Sequence, residues 1–211
     1  MKYLKLLSIS FILLFLIACD SCKSSSGPGN NEHITNGWEY FVQARYSMAV
    51  KSFDEALLEQ PSNVEAKVGK GWSLLMKDTS QTEQIINLLE EGKYSQDWKP
   101  DSRCALASAR LIRKEYNKCI ENSDSLLASH PDYVFQYKTN IDWRDVAIIK
   151  AQAQFLTKRY TRAWSTISQI SELNLDPANS DSWVISGKKY PSFAAALSAE
   201  MARLSREYKS F

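Results

Sequence analysis

GWEYFVQARYSMAVKSFDEALLEQP, from Gly37 to Pro61, lays out one helical hairpin. Small residues stand at Gly37 and Ala49, an aromatic at Tyr46, and apolar groups at Phe53 and Ala56. Pro61 closes the unit, because its missing N–H and its clash with the preceding turn stop a helix. From Tyr46 through Ala49, Phe53 and Ala56 to Pro61 the steps are 3, 4, 3 and 5. That is a stripe on one helix face followed by a stop.

The same steps recur at Tyr116, Cys119, Ser123, Leu126 and Pro131, and again at Tyr160, Ala163, Ile167, Ile170 and Leu175, with Pro177 just beyond. In each case a small residue lies 12 positions before the second mark: Gly37 before Ala49, Ala107 before Cys119, Ala151 before Ala163. Small side chains at both places let two antiparallel helices approach closely. A further unit begins at Gly71, 34 residues after Gly37, where GWSLL matches GWEYF in kind. Ile85, Leu89 and the pattern Ser80-x-x-Glu83 predict its second helix, after a turn lengthened by about two residues on the logic of reciprocal helix caps.

Helix pairs repeating near 34 residues form the tetratricopeptide pattern. The chain resembles a tetratricopeptide-repeat protein over roughly residues 31–177, with Gly37, Tyr40, Tyr46, Ala49, Phe53, Ala56 and Pro61 matching closely and the third and fourth units in part. His33, Asn36, Lys67 and Lys70 stand where the family usually carries apolar residues. The resemblance implies an all-α fold, a right-handed superhelix of about four helix pairs. Helices are expected over 31–44, 47–59, from a Ser62-x-x-Glu65 cap to about Met76, and over 80–91, 101–114, 117–129, 142–157 and 161–173. Past a loop from Pro177 to Tyr190, Phe193, Leu197, Met201, Leu204 and Tyr208 make an amphipathic stripe, expected to cap the open end of the stack within a final segment, 178–211.

Before the repeats, Lys2 and Lys5 precede an apolar run from Leu6 to Ile17. It is short for a membrane span and fits a secretion signal, placed at 1–18. Leu16-Ile17-Ala18-Cys19 resembles a bacterial lipobox, which implies that Cys19 becomes an acylated N-terminus. Each buried methylene contributes about 0.8 kcal/mol, so two or three chains hold where one dissociates. An uncleaved membrane helix, or an ordinary signal with a chance cysteine, is the other reading. Residues 19–30, polar and rich in Ser and Gly, read as a flexible tether. The expected address is the bacterial cell envelope, with the choice of membrane open.

With Cys19 lipidated, Cys22, Cys104 and Cys119 remain. Cys104 and Cys119 fall on paired helices, where they are either bonded or serve as two small buried apolar groups. A net charge of +2 with scattered Lys and Arg and no basic stripe argues against nucleic acid as a partner. The two His, His33 and His130, have no metal-ligand spacing, and no phosphate loop, HExxH-like motif or nucleophile elbow occurs. Neither an enzyme nor a cofactor is therefore expected.

In the family the first helix of each pair lines the concave side. Carried over, the resemblance places Trp38, Trp72, Ser108 and Gln152 there, with Phe41, Leu75, Leu111 and Phe155 one turn on. Trp38, Phe41, Trp72, Leu75, Leu111 and Phe155 are thus candidate partner-binding residues, large aromatics being frequent anchors. The alternative for the two Trp is that they fill the seam between hairpins. Between Pro131 and Asp142 about ten residues exceed the repeat, and Tyr133, Phe135 and Tyr137 alternate in them. This insert is either a lip over the groove or a stretch tucked over the edge of the third pair. The expected function is a membrane-anchored scaffold for envelope proteins, with capture of a peptide or small ligand in the groove as the rival.

Overall fold

Stripes spaced by three and four residues fold as helices that pair in order along the chain. In the computed structural model, which describes residues 30–208, four pairs follow one another: α1 (Asn30–Val42) with α2 (Tyr46–Glu59), α3 (Val64–Lys77) with α4 (Thr82–Gly92), α5 (Lys99–Ile112) with α6 (Tyr116–Ser129), and α7 (Trp143–Leu156) with α8 (Tyr160–Ile167). A last helix, α9 (Phe193–Tyr208), lies against α7 and α8. Each helix from α1 to α7 packs on the next, and the first helices also touch, α1 with α3, α3 with α5 and α5 with α7. The result is a mostly helical array of stacked adjacent pairs. The expected secretion signal, Cys19 and the expected tether up to residue 29 lie outside the described residues.

Burial follows the ruler. Ala49, Phe53, Ala56, Cys119, Ser123, Leu126, Ala163 and Ile167 are fully buried, as are Ala107 and Ala151 opposite them. The small residues admit neighbouring side chains: a Cβ at Gly37 would lie 2.7 Å from the Phe53 ring, and one at Gly71 2.8 Å from Leu89 Cγ. One core cluster runs from Ile34 to Val146 and a second, around α7, α8 and α9, from Ile148 to Leu204. Ala107, Cys119, Ile120, Ile149 and Ala153 form a smaller cluster where α5, α6 and α7 meet.

Pairs one, three and four share one turn. Ala44, Lys114 and Lys158 adopt positive φ of 57°, 63° and 61°. The amides of Arg45, Glu115 and Arg159 donate to the carbonyls of Tyr40, Arg110 and Gln154 at 2.8–2.9 Å, the six-to-one bond of a Schellman ending. Pair two departs from it. There Asp78 caps a 3-10 turn, Thr79–Gln81, through the Ser80 amide before α4 begins.

Several helix ends differ from the sequence-based expectation. Asn63, not Ser62, caps α3, its side-chain oxygen accepting from the Ala66 amide at 2.9 Å. α4 lacks the Ser80 cap, because Ser80 is engaged by Asp78. α8 stops at Ile167 rather than near Leu173. Beyond that end the Ser171 hydroxyl accepts from the Leu173 amide and donates to Glu200 on α9, so residues up to Leu173 are held by side-chain bonds and not by a continued helix. The loop after Pro177 contains a 3-10 turn, Ser180–Ser182, and a two-residue hairpin, β1 (Val184–Ile185) with β2 (Lys188–Lys189), turning on positive φ at Ser186 and Gly187.

Lys67 and Lys70 of α3 meet charged partners on adjacent helices, Lys67 on α4 of its own pair and Lys70 on α2 of the pair before it. Lys67 Nζ lies 2.6 Å from Glu91 and Lys70 Nζ 2.5 Å from Asp54. Lys150 repeats the arrangement with Asp124 at 2.6 Å. His33 sits between Glu55 at 3.1 Å and Glu59 at 3.7 Å. Cys104 and Cys119 are free and buried. Burial pushes the Cys104 thiol well up and Cys119 to about 12, so both stay protonated.

Candidate functional site

Because side chains three and four apart share a helix face, Trp38 and Phe41 on α1, Trp72 and Leu75 on α3, Ser108 and Leu111 on α5, and Gln152 and Phe155 on α7 follow one another across a single face of the array. Over its first half this face is covered by the chain itself. The connection between α6 and α7 turns back as a strap, and Tyr133, Phe135 and Tyr137 point down from it while Val134 and Gln136 stay exposed. Phe135 stacks on Trp72 with ring centres 4.3 Å apart, and Tyr137 on Trp38 at 3.8 Å. Trp98 stacks on Trp38 at 5.5 Å, and the Tyr133 hydroxyl donates to Asp101 at the start of α5 at 2.9 Å. The insert thus crosses α1, α3 and α5 instead of tucking over the edge of the third pair. The rings of Trp38 and Trp72 receive its side chains by stacking.

Trp38, Phe41 and Trp72 are therefore buried, at 4%, 1% and 0% exposure. They lie under the strap rather than in the seam alone. The Trp38 indole N–H donates to Glu65 at 2.9 Å. Phe155 belongs to the C-terminal cluster, half-buried and 5.0 Å from the Tyr160 ring.

Beyond the strap the face opens into a cavity of about 620 Å³ between α3, α5 and α7, with Ser205 of α9 on its rim. Leu75 and Leu111 line it, together with Ile148 and Ile149. Its polar lining includes Ser108 and Gln152, the latter donating to Ser205 at 3.3 Å. The charged groups around it are Asp145, Lys77 and Asp78. Asp145 is fixed by the capping box of α7, where its carboxylate accepts from the Asp142 amide at 2.9 Å. The Ser80 hydroxyl, with the Ser80 amide, holds the Asp78 carboxyl below its ordinary value. An apolar group without negative charge suits this lining, since two carboxylates face one ammonium.

Spacing also contained a set that the sequence reading passed over. Five residues after each small mark come Val42, Met76, Ile112 and Leu156. Val42, Ile112 and Leu156 are 62%, 44% and 53% exposed. Met76 is half-buried and lines the cavity with Ile112. One apolar side chain per pair thus stands along the end of the face, each one turn after Trp38, Trp72, Ser108 or Gln152. The signal was four apolar residues at one repeat position, five after each small mark.

Among the described residues no group of three or more His, Cys, Asp or Glu is placed to hold a metal ion, and no helix is long and apolar enough to cross a membrane. No protein-family model matches the chain, and no curated protein or solved structure matches it. Its class is defined by its own geometry: an all-helical protein of stacked pairs, with one face half covered by a strap and half open.

Proposed function

We propose that the chain is a tetratricopeptide-repeat scaffold that binds other proteins of a bacterial cell envelope and is held at the membrane by lipid on Cys19. The period near 34 residues, the shared first-helix face and the turn repeated at Ala44, Lys114 and Lys158 support the repeat type. In that reading the pairs wind into a right-handed superhelix, α9 caps its end, and the open cavity lies on the concave side. The row formed by Val42, Met76, Ile112 and Leu156 beside the cavity carries the binding reading. A recurrent apolar edge, exposed at three of its four positions, is a surface feature that stability alone does not require. Protein interfaces place such groups at their centre within a polar rim.

A photo-crosslinking side chain at Ile112 is expected to give discrete adducts with envelope proteins in intact cells, while the same probe at the exposed Lys51 gives none. Equal yields from both positions would remove the reading. The anchor is tested separately: mass spectrometry of the mature protein is expected to find a diacylglycerol-modified peptide beginning at Cys19.

The second reading, capture of a peptide side chain or small ligand, is favoured by the cavity itself. About 620 Å³ lies within the range of ligand pockets, roughly 300–1,000 Å³. Leu111→Glu would then abolish ligand binding without altering helical content.

A further inference from the structure

The strap presents alternate side chains, Tyr133, Phe135 and Tyr137, to three successive first helices, as an extended peptide in a groove would. We propose that Trp38, Phe41 and Trp72 form a receptor for an extended segment with aromatic residues at every second position. The strap is its resident occupant, and a partner segment of the same pattern displaces it. This extends the binding reading to the covered half of the face, but its test reads the strap alone.

Three observations carry it. First, the chemistry the floor accepts is visible in what it holds: Phe135 lies 4.3 Å from the Trp72 ring, 5.7 Å from Phe41 and 6.3 Å from Trp38, and is fully buried. Offset and edge contacts of this kind are specific to aromatic partners. Secondly, the strap holds itself together. Its backbone bonds run from Phe135 N–H to Ile141, Lys138 N–H to Phe135, Ile141 N–H to Lys138 and Trp143 N–H to Tyr133. It can leave the floor without breaking a helical hydrogen bond, giving up the Tyr133–Asp101 bond and the burial of Tyr133, Phe135 and Ile141, so its opening stays confined to the strap and the floor beneath it. Thirdly, the connection is longer than stacking needs. Residues 130–142 join α6 to α7, where 60–63 suffice between α2 and α3.

A tethered occupant has an effective concentration on the order of millimolar, so a short free peptide competes poorly. A partner that also fills the open cavity overcomes this. Leu75, on the cavity wall, lies three residues beyond Trp72 on the same helix, so one segment can run from cavity to floor.

Hydrogen exchange on the whole protein gives the first test. Once off the floor, the strap's few internal bonds lie open to water, so the amides of Phe135, Lys138 and Ile141 are expected to exchange at least about tenfold faster than interior amides of α5 and α7. Equal protection would mean that the strap opens only with global unfolding, and would overturn the proposal. The second test adds a synthetic peptide of residues 131–142 to Phe135→Ala/Tyr137→Ala and follows tryptophan fluorescence. Binding at least about tenfold tighter than to the unaltered protein is expected, and none for a peptide carrying Ser in place of the central Phe. A variant with native helical content that ignores the peptide sinks the idea. Should the double variant unfold, Tyr137→Ala, which alters only a half-buried ring, takes its place; if that also unfolds, the strap is core and the proposal fails.

Discussion

Gly69 has no room for a side chain, because a Cβ there would come within 2.3 Å of Phe53 Cζ. Gly69→Ala is expected to cost about 1–3 kcal/mol of stability, the usual range for overpacking a filled core. Phe53→Leu, which retracts the ring, should return part of it, and thermal melts of the single and double variants measure both. Asp101 gives a second residue-scale prediction. Burial raises its carboxyl to about 6, against a partial lowering by the Tyr133 hydroxyl. The unfolded carboxyl titrates near 3.8, so between these values the folded chain keeps a proton that the unfolded chain has lost. Its stabilising contribution is full below about pH 4 and is lost as pH rises through 6. Asn at this position accepts the Tyr133 hydrogen bond without ionising. Asp101→Asn should therefore gain on the native protein between pH 4 and pH 7 by up to about 3 kcal/mol, at 1.36 kcal/mol per unit. Urea titrations at the two pH values that give the same difference would show that Asp101 titrates normally. The sequence showed which residues pack, as at Phe53 and Ala56, because a helical stripe is a local pattern. It placed Trp38 and Trp72 on the first-helix face but could not show what covers them, since Phe135 arrives from some 60 to 100 residues away.

At the scale of elements, the turn at Ala44, Lys114 and Lys158 holds three non-glycine residues in left-handed backbone. For L-residues that conformation costs roughly 1–2 kcal/mol, partly offset by the greater freedom glycine loses on folding. Lys114→Gly and Lys158→Gly are each expected to stabilise the protein by about 0.5–1 kcal/mol, whereas Lys118→Gly, inside α6, should destabilise it by a similar amount. Denaturant midpoints of the three variants check the contrast. Helix existence was legible in sequence and helix ends were less so. The apolar period is read over a dozen residues, while a cap depends on one side chain. Asn63 took the role assigned to Ser62, and α8 stopped at Ile167, with Ser171 beyond it turned to Glu200 on α9. Alternation in the strap was legible as an extended stretch with aromatics on one side. Its landing place was not, because nothing local distinguishes the floor on α1 and α3 from the edge of the third pair.

Across the whole molecule, stability is divided by the way the helices meet. Helices pack mainly on their sequence neighbours, which makes the array nearly one-dimensional. The strap is the exception, tying the entrance of α7 to Trp38 on α1 and so stapling the first three pairs. Among the described residues the C-terminal cluster has no comparable staple; it reaches the rest mainly through contacts of α7 with α5 and α6, with Ile149 and Ala153 beside Ala107, Cys119 and Ile120, and through Arg159, which donates to Asn117 on α6. Local damage should therefore stay local at that end. Leu197 on α9 is fully buried among Ile148, Ile167 and Leu204. Leu197→Ala removes transfer energy and leaves a cavity, a loss of about 2–5 kcal/mol. Hydrogen exchange should then accelerate in α8, α9 and the β1–β2 hairpin while amides inside α2, α3 and α4 keep their protection. A uniform acceleration from α1 to α9 would mean that the array unfolds as one unit and that the small cluster around Ile149 couples the halves.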